Sequence, residues 1–388
     1  LQSTAADATS LIERADALAG SLQERSEAAE TLRRCPDETI ADFVRTGLLR
    51  ICQPRRYGGY ELGWDVLCSV SQTLARGCGS QAWVQNIYTD HGQKVSTFPL
   101  AAQDEVWGDD YDARIAASFD PLGKARPTAG GAIFSGRHGF ASGIDHAQWV
   151  IAGGHFYDGE TKGRRCFFLL PIGDVTIIDD WHVVGFAGTG SKSFETREVF
   201  VPEHRIIDGA QSERGRAPGS DVHSAAIYRL PRGGVTATGF AAVIVGIAEG
   251  FIREYLEYTA PRKSRGTAIS SLMGTQMGIG IATAEVHAAS TIYIEAAREV
   301  MRLLERGDEV SQELRLRCKR DSAFAAQLSL AAVTRLFNAA GGRALSLKGE
   351  MQRKYRDLLA GASHHSIVWD WAAAEYGRCA LGIDENES

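Results

Sequence analysis

Along residues 1–112 apolar positions recur every three to four residues. Leu11, Ile12, Ala15, Leu18, Ala19 and Leu22 form one stripe of an amphipathic helix. Pro36, Asp37 and Glu38 place a proline and two acids in the first turn of another, and Gly47 suits the position that closes it. Ser80 can cap a third helix that runs through Val95 and stops before Pro99. On it Trp83, Ile87 and His91 stand at i, i+4 and i+8 and share a face.

From 113 to 212 the period shortens. Arg114–Phe119, Ala132–Phe140, Trp149–His155, Cys166–Leu170, Trp181–Val184 and Phe194–Val201 are rich in aromatic and β-branched residues and are separated by Gly, Asp and Pro. That pattern predicts an antiparallel barrel or sandwich. The polar stretch Gly209–Asp221 reads as a linker or mobile loop. Helical spacing returns in Ala237–Thr259, Ile279–Glu305 and Gln312–Ala340, long Ala-rich segments suited to an antiparallel bundle and to subunit contacts. The expectation is an α+β multidomain protein: a helical domain (1–112), a β-barrel (113–212) and a four-helix bundle (213–388).

Composition narrows the classes. The chain has 388 residues, which corresponds to about two to three domains. Its net charge of −6 offers no basic field for nucleic acid or anionic lipid. Read by eye, no apolar run reaches the ~18 residues of a membrane span. Leu1–Arg25 lacks the basic and apolar regions of a signal peptide. Seven scattered cysteines read as reduced thiols of a cytoplasmic protein. No His/Cys spacing suits zinc, and consecutive His364 and His365 point different ways on a helix, so no metal is expected.

Nucleotide and hydrolase motifs are missing. There is no phosphate-binding G-x-x-x-x-G-K-[ST], no G-x-G-x-x-G between strand and helix, and no G-x-S-x-G elbow. Gly188-Thr189-Gly190-Ser191 lies among strands, either as a tight connection or as a loop whose N–H and hydroxyl groups meet a cofactor. On residue type alone, His91 is a core histidine, Ser118 and Ser142 are strand or turn serines, and Arg262 and Arg265 belong to a solvated basic run.

The order helices, β-domain, helical bundle resembles the acyl-CoA dehydrogenase fold. The closer resemblance is to the flavin-dependent aromatic monooxygenases of that fold, the oxygenase components of two-component hydroxylases such as the p-hydroxyphenylacetate and 3-HSA hydroxylases. It rests on Arg34–Thr39, Gln53–Gly59, Cys78–Val84, Glu105–Gly108, Ala141–Ala147, Val184–Ser191, Val199–Pro202 and Tyr355–Asp357 ahead of His364, in that order. The resemblance implies reduced FMN or FAD, O2 as co-substrate, a C4a-hydroperoxyflavin, and a small phenolic substrate. It also implies a separate NAD(P)H:flavin reductase and a homotetramer.

Residue by residue, the resemblance puts Ser142 at flavin N5, with Trp83, Thr189 and Ser191 around the cofactor. His91 and Ser118 fall at the phenol oxygen, and His364 (or its neighbour His365) supports reaction with oxygen. Arg262 and Arg265 fall at cofactor phosphate, often across a subunit interface. Some relatives carry a tyrosine two places after the histidine; here Ser366 stands there. The alternative is an acyl-CoA dehydrogenase, or an N- or S-oxygenating relative. A dehydrogenase needs a glutamate base, yet Ala360–His365 holds no acid, which leaves Glu254 or Glu257. A scaffold without flavin is the non-enzymatic reading.

Overall fold

The computed structural model describes residues 7–383; the ends of the two outer expected domains, 1–6 and 384–388, lie outside the described residues. Helix α1 (Ala8–Glu24) starts where the Asp7 carboxylate accepts the Ser10 N–H at 2.8 Å, and it buries the expected stripe from Leu11 to Leu22. Then come α2 (Ser26–Leu32), α3 (Asp37–Thr46), α4 (Trp64–Ala75), α5 (Gly79–Val95) and α6 (Leu100–Trp107). Gly47 closes α3 at φ 72°, as its position suggested. Helix α5 is buried on every face. Its cap residue is Cys78 rather than Ser80, because extended backbone at Cys78 turns into helix two residues early. The Ser80 hydroxyl instead donates to Asp357 Oδ2 at 3.2 Å.

The central layer is a seven-stranded sheet: β1 (Ile115–Thr128), β2 (Gly131–Ala141), β3 (Trp149–Asp158), β4 (Thr161–Pro171), β5 (Thr176–Ile178), β6 (Lys192–Pro202) and β7 (Ile206–Asp208). Their order is β5-β6-β2-β1-β3-β4-β7. Two expectations are corrected. Strands β1 and β3 run parallel, so the sheet is mixed, and its two edge strands are not paired to each other. Trp181–Val184 is irregular; the strand of that region is β5, a few residues earlier. The Trp181 indole is used on a turn, donating to the Phe186 carbonyl at 3.0 Å.

Strand β1 decides where the site sits. Its first residues, Ile115–Ser118, pair only with β3; after a register shift, Lys124 and Ala125 pair with both β2 and β3. One edge of β1 is therefore open at its start, and α5 packs there. Gly209–Asp221 is not a free linker either. It begins as α7 (Gly209–Glu213), capped by Asp208, and the Gly219 N–H donates to the Thr97 carbonyl at 2.8 Å.

The C-terminal helices are α8 (Arg232–Val235), α9 (Ala237–Thr259), α10 (Met273–Arg306), α11 (Gln312–Ala340), α12 (Glu350–Ala362) and α13 (Trp369–Ala380); a two-stranded hairpin, β8 (Lys263–Ser264) and β9 (Thr267–Ala268), joins α9 to α10. Helix α10 starts ahead of the expected Ile279, across glycines that hide its period. Helix α9 packs on α4, α5, α10, α11 and α12. Contrary to the expectation of no such run, Arg232–Thr259 is long and apolar enough to cross a membrane, its most apolar stretch having a mean hydropathy of 1.8, but 83% of that stretch is buried inside the protein. It is the core helix around which both helical parts share one hydrophobic cluster. Two further clusters cover the sheet.

Candidate active site

The open edge of β1 fixes His91. Its Nδ1 lies 2.8 Å from the Ile115 carbonyl, which can only accept, so Nδ1 carries the proton and Nε2 keeps its lone pair. Burial holds the imidazole down to a pKa of about 4, so it is neutral at pH 7. The ring meets the Phe119 ring edge-on at 5.3 Å. Three residues past Ile115, Ser118 is buried, and its hydroxyl makes no hydrogen bond among the described residues.

Two turns back along α5, Trp83 begins a chain of hydroxyls. Its Nε1–H reaches Ser142 Oγ at 3.2 Å. Ser142 Oγ is 2.7 Å from Ser191 Oγ, which is 2.6 Å from Thr189 Oγ1. Thr189 donates to the Phe186 carbonyl at 2.8 Å. Because that carbonyl only accepts, each hydroxyl proton points along the chain toward it. Ser142 therefore spends its proton on Ser191, receives one from Trp83, and retains one acceptor site.

The loop that carries these hydroxyls is pinned at both ends. Gly143, at φ 74°, donates its N–H to the Thr189 carbonyl at 2.8 Å, and Tyr88 donates to the Gly143 carbonyl. Phe186 sits in the left-handed region at φ 57°, with its N–H on Asp357 Oδ1 at 2.7 Å. Burial pushes the Asp357 carboxyl up to about 6, despite the donors Phe186 and Ser80. Asp357 lies in the family-like stretch Tyr355–Asp357, but no periodicity or spacing assigns it a role.

Aromatic rings wall the other side. Trp83 packs at 4.9 Å from both Phe186 and Phe240. His364 joins them, 4.2 Å from Phe240 and 5.4 Å from Trp83. Burial, then the neighbouring His365, lowers the His364 pKa to about 3. Its Nδ1 accepts the Ser366 N–H at 3.3 Å, so any ring proton is on Nε2. His365 packs 4.4 Å from His364 but is the more exposed of the two, so the fold distinguishes two histidines that are equivalent by sequence. Sequence reasoning missed Phe119, Phe186 and Phe240, which look like ordinary core aromatics.

Trp83, Ser142, Thr189, Ser191 and His364 thus form one cluster, with His91 and Ser118 at the sheet end of the same helix. Arg262 and Arg265 are not brought to it. Arg262 donates to the Ala340 carbonyl at 2.8 Å and stacks on Tyr258 at 4.2 Å. Arg265 is exposed in the β8–β9 turn. Phe240 and Thr259 lie near opposite ends of α9, about 28 Å apart at 1.5 Å per residue. Within one chain the hydroxyls and aromatic walls suit an uncharged heteroaromatic ring, and no cation hydrogen-bonds to that hydroxyl chain among the described residues.

Helical N- and C-terminal parts around a mixed central sheet are the acyl-CoA dehydrogenase fold, and a sequence profile for the acyl-CoA dehydrogenase C-terminal domain matches residues 238–369. The chain is 33% identical over 375 residues to the flavin-dependent monooxygenase oxygenase subunit HsaA of Rhodococcus jostii (strain RHA1), covering 96% of this chain and 98% of that protein. It is 30% identical over 387 residues to the FADH(2)-dependent resorcinol hydroxylase oxygenase component of Rhizobium sp. (strain MTP-10005), covering 96% and 94%. The crystal structure of 3-HSA hydroxylase from Rhodococcus sp. RHA1 superposes with a TM-score of 0.92 at 32% identity, covering 96% and 97%. The chain belongs to the oxygenase subunits of the flavin-dependent monooxygenases.

Proposed function

We propose that this chain is the oxygenase component of a two-component hydroxylase acting on a phenol, with reduced FMN or FAD brought by a separate NAD(P)H:flavin reductase. The observation that carries the reading is the neutral, buried His91 with its bare Nε2. When bound, the reduced flavin supplies the electrons that activate O2 for insertion into the ring.

The chain's own residues do the rest. Trp83, Phe186, Phe240 and His364 would line the side of the flavin ring and exclude water from it. The spare acceptor site on Ser142 suits the N–H of a reduced flavin at N5, and Thr189 and Ser191 hold that oxygen in place. His91 Nε2 accepts the hydrogen bond of the phenol O–H and takes its proton as the ring is attacked, and the unspent Ser118 hydroxyl holds the oxygen on which negative charge gathers. The glutamates required by a dehydrogenase are elsewhere. Glu254 is paired to Lys354 at 3.0 Å, some fourteen residues along α9 from Phe240, and Glu257 is exposed.

Assembly as a homotetramer would bring Arg262 and Arg265 of a neighbour to the cofactor phosphates. The exposed Met273, Met277 and Ile281 at i, i+4 and i+8 on α10, beside a 260 Å³ hollow against α11, support such a contact. A division at 1–112, 113–212 and 213–388 goes with this reading. The cysteines, all free and six of them buried, suit a reducing cytoplasm.

The test is to mix the protein with anaerobically reduced FMN or FAD, add isotopically labelled O2 and a phenol panel, and analyse products by mass spectrometry. Labelled oxygen in a ring hydroxyl is expected. No label in any phenol, with bound oxidised flavin bleached by an acyl-CoA, would overturn the proposal.

A further inference from the structure

Phe186 is held at every group it has. Its backbone lies in the left-handed region at φ 57°, a conformation that a phenylalanine keeps only where its surroundings impose it. Its N–H goes to Asp357 Oδ1 at 2.7 Å. Its carbonyl takes two donors, the Thr189 hydroxyl at 2.8 Å and the Trp181 indole N–H at 3.0 Å, so both lone pairs are used. Its ring packs 4.9 Å from Trp83 and is shut in a slot between two helices. A Cβ added at Gly79 of α5 would lie 3.1 Å from Phe186 Cε1, and one added at Gly361 of α12 would lie 2.6 Å from Cε2 and 3.0 Å from Cζ.

Glycine within a helix is less favourable than alanine, and at Gly361 the slot is the reason for it. Ile244 Cδ1 of α9 also stands close to Gly361, but it ends a flexible side chain and can turn aside. The Phe186 ring cannot, because Gly79 and Trp83 bound its other sides. A methyl group at Gly361 therefore shifts Phe186, and its carbonyl with it. That carbonyl is where the hydroxyl protons run. Thr189 gives its proton there, so it accepts from Ser191, which accepts from Ser142. With the carbonyl moved off Thr189 the order loses its anchor, and Ser142 is free to turn its proton toward the cofactor. A reduced flavin carries a hydrogen at N5 and suits a bare oxygen; an oxidised flavin has a lone pair there and suits a hydroxyl proton.

We propose that Phe186, clamped between Gly79 and Gly361, is a positioning residue that acts through Thr189 and Ser191 to keep the Ser142 proton turned away from the cofactor. The inference rests on the hydroxylase reading and deepens it. Phe186 does this by its carbonyl, which the slot puts in place, and not by touching N5.

The experiment measures, by calorimetry without phenol or oxygen, the binding of oxidised and of anaerobically reduced FMN, with FAD in a parallel series. The ratio of the two affinities reports the direction of the Ser142 proton, which a loss of packing alone would not move. The unaltered protein is expected to favour the reduced flavin, and Gly361→Ala to cut that ratio about tenfold. Adding Phe186→Leu to Gly361→Ala shortens the clamped side chain and is expected to restore most of it. Thr189→Val breaks the chain without touching the slot and is expected to cut the ratio as Gly361→Ala does; it decides the matter if Gly361→Ala does not fold. Equal binding of the two redox states by the unaltered protein overturns the inference. So does an unchanged ratio in Thr189→Val, or in a Gly361→Ala protein with normal melting, and so does a double variant no better than Gly361→Ala alone. Phenol hydroxylation by the unaltered protein is followed in parallel. If it proceeds while the ratio stays unmoved, only this inference fails; if no reduced flavin binds and no phenol is hydroxylated, the hydroxylase reading fails with it.

Discussion

His91 shows how one contact sets a residue's chemistry. The Ile115 carbonyl selects the tautomer, and burial keeps the ring neutral. His91→Ala should lower phenol hydroxylation by about 10²-fold or more, while reduced flavin still consumes O2 and releases H2O2. Product and peroxide measured together would check this; normal product yield would reject the assignment. Ser142→Ala should act differently, raising peroxide per product even with His91 intact, because only the flavin loses its partner.

The same two histidines shape acid stability. His91 and His364 titrate near 4 and 3 in the fold, against about 6.5 in an unfolded chain. As pH falls below about 6.5 the unfolded chain takes up protons first, so stability present above that pH is lost as acidity rises, at about 1.4 kcal/mol per unit for each histidine. Asp357 opposes this between about 4 and 6, because its raised value makes the fold the better proton binder there. Urea midpoints at pH 7 and pH 5 should fall with acid, and less steeply in His91→Asn.

At the scale of elements, the loop from Phe186 to Ser191 is held by α12 through Asp357. Asp357→Ala leaves the Phe186 N–H buried without an acceptor and should cost about 1–3 kcal/mol, with weaker flavin binding. Asp357→Asn keeps an acceptor for that N–H and should lose less, while steepening the acid dependence between about pH 6 and 4 because the opposing carboxyl is gone. Denaturant titration of both variants separates the two. Helix α5 is the other decisive element: it carries Trp83 and His91 past the open edge of β1, so its position sets the distance between the aromatic wall at Trp83 and the Nε2 of His91.

For the whole molecule, the stripe Met273, Met277 and Ile281 is exposed among the described residues. Met277→Glu should break an assembly built on it, seen as a smaller sedimentation coefficient. It should also weaken flavin binding, through loss of a neighbour's Arg262 and Arg265, while leaving the His91 region intact. An unchanged coefficient and affinity would exclude that face.

Local pattern was enough for the helices that carry one buried stripe, such as α1, and for the punctuation at Gly47, because both depend on spacing alone. Short family-like motifs in a fixed order are enough for the family and make Trp83, His91, Ser118, Ser142 and His364 candidates. Strand direction, the place of β5 and the anchoring of α7 were not legible, because pairing partners lie far apart in sequence. The glycines at the start of α10 hid its period, and the apolarity of α9 showed only that it is buried, not in what. The contact of His364 with Trp83 and Phe240 and the direction of the hydroxyl chain were decided by tertiary packing. Burial, tautomer and proton direction are properties of neighbours in space, which no stretch of sequence contains.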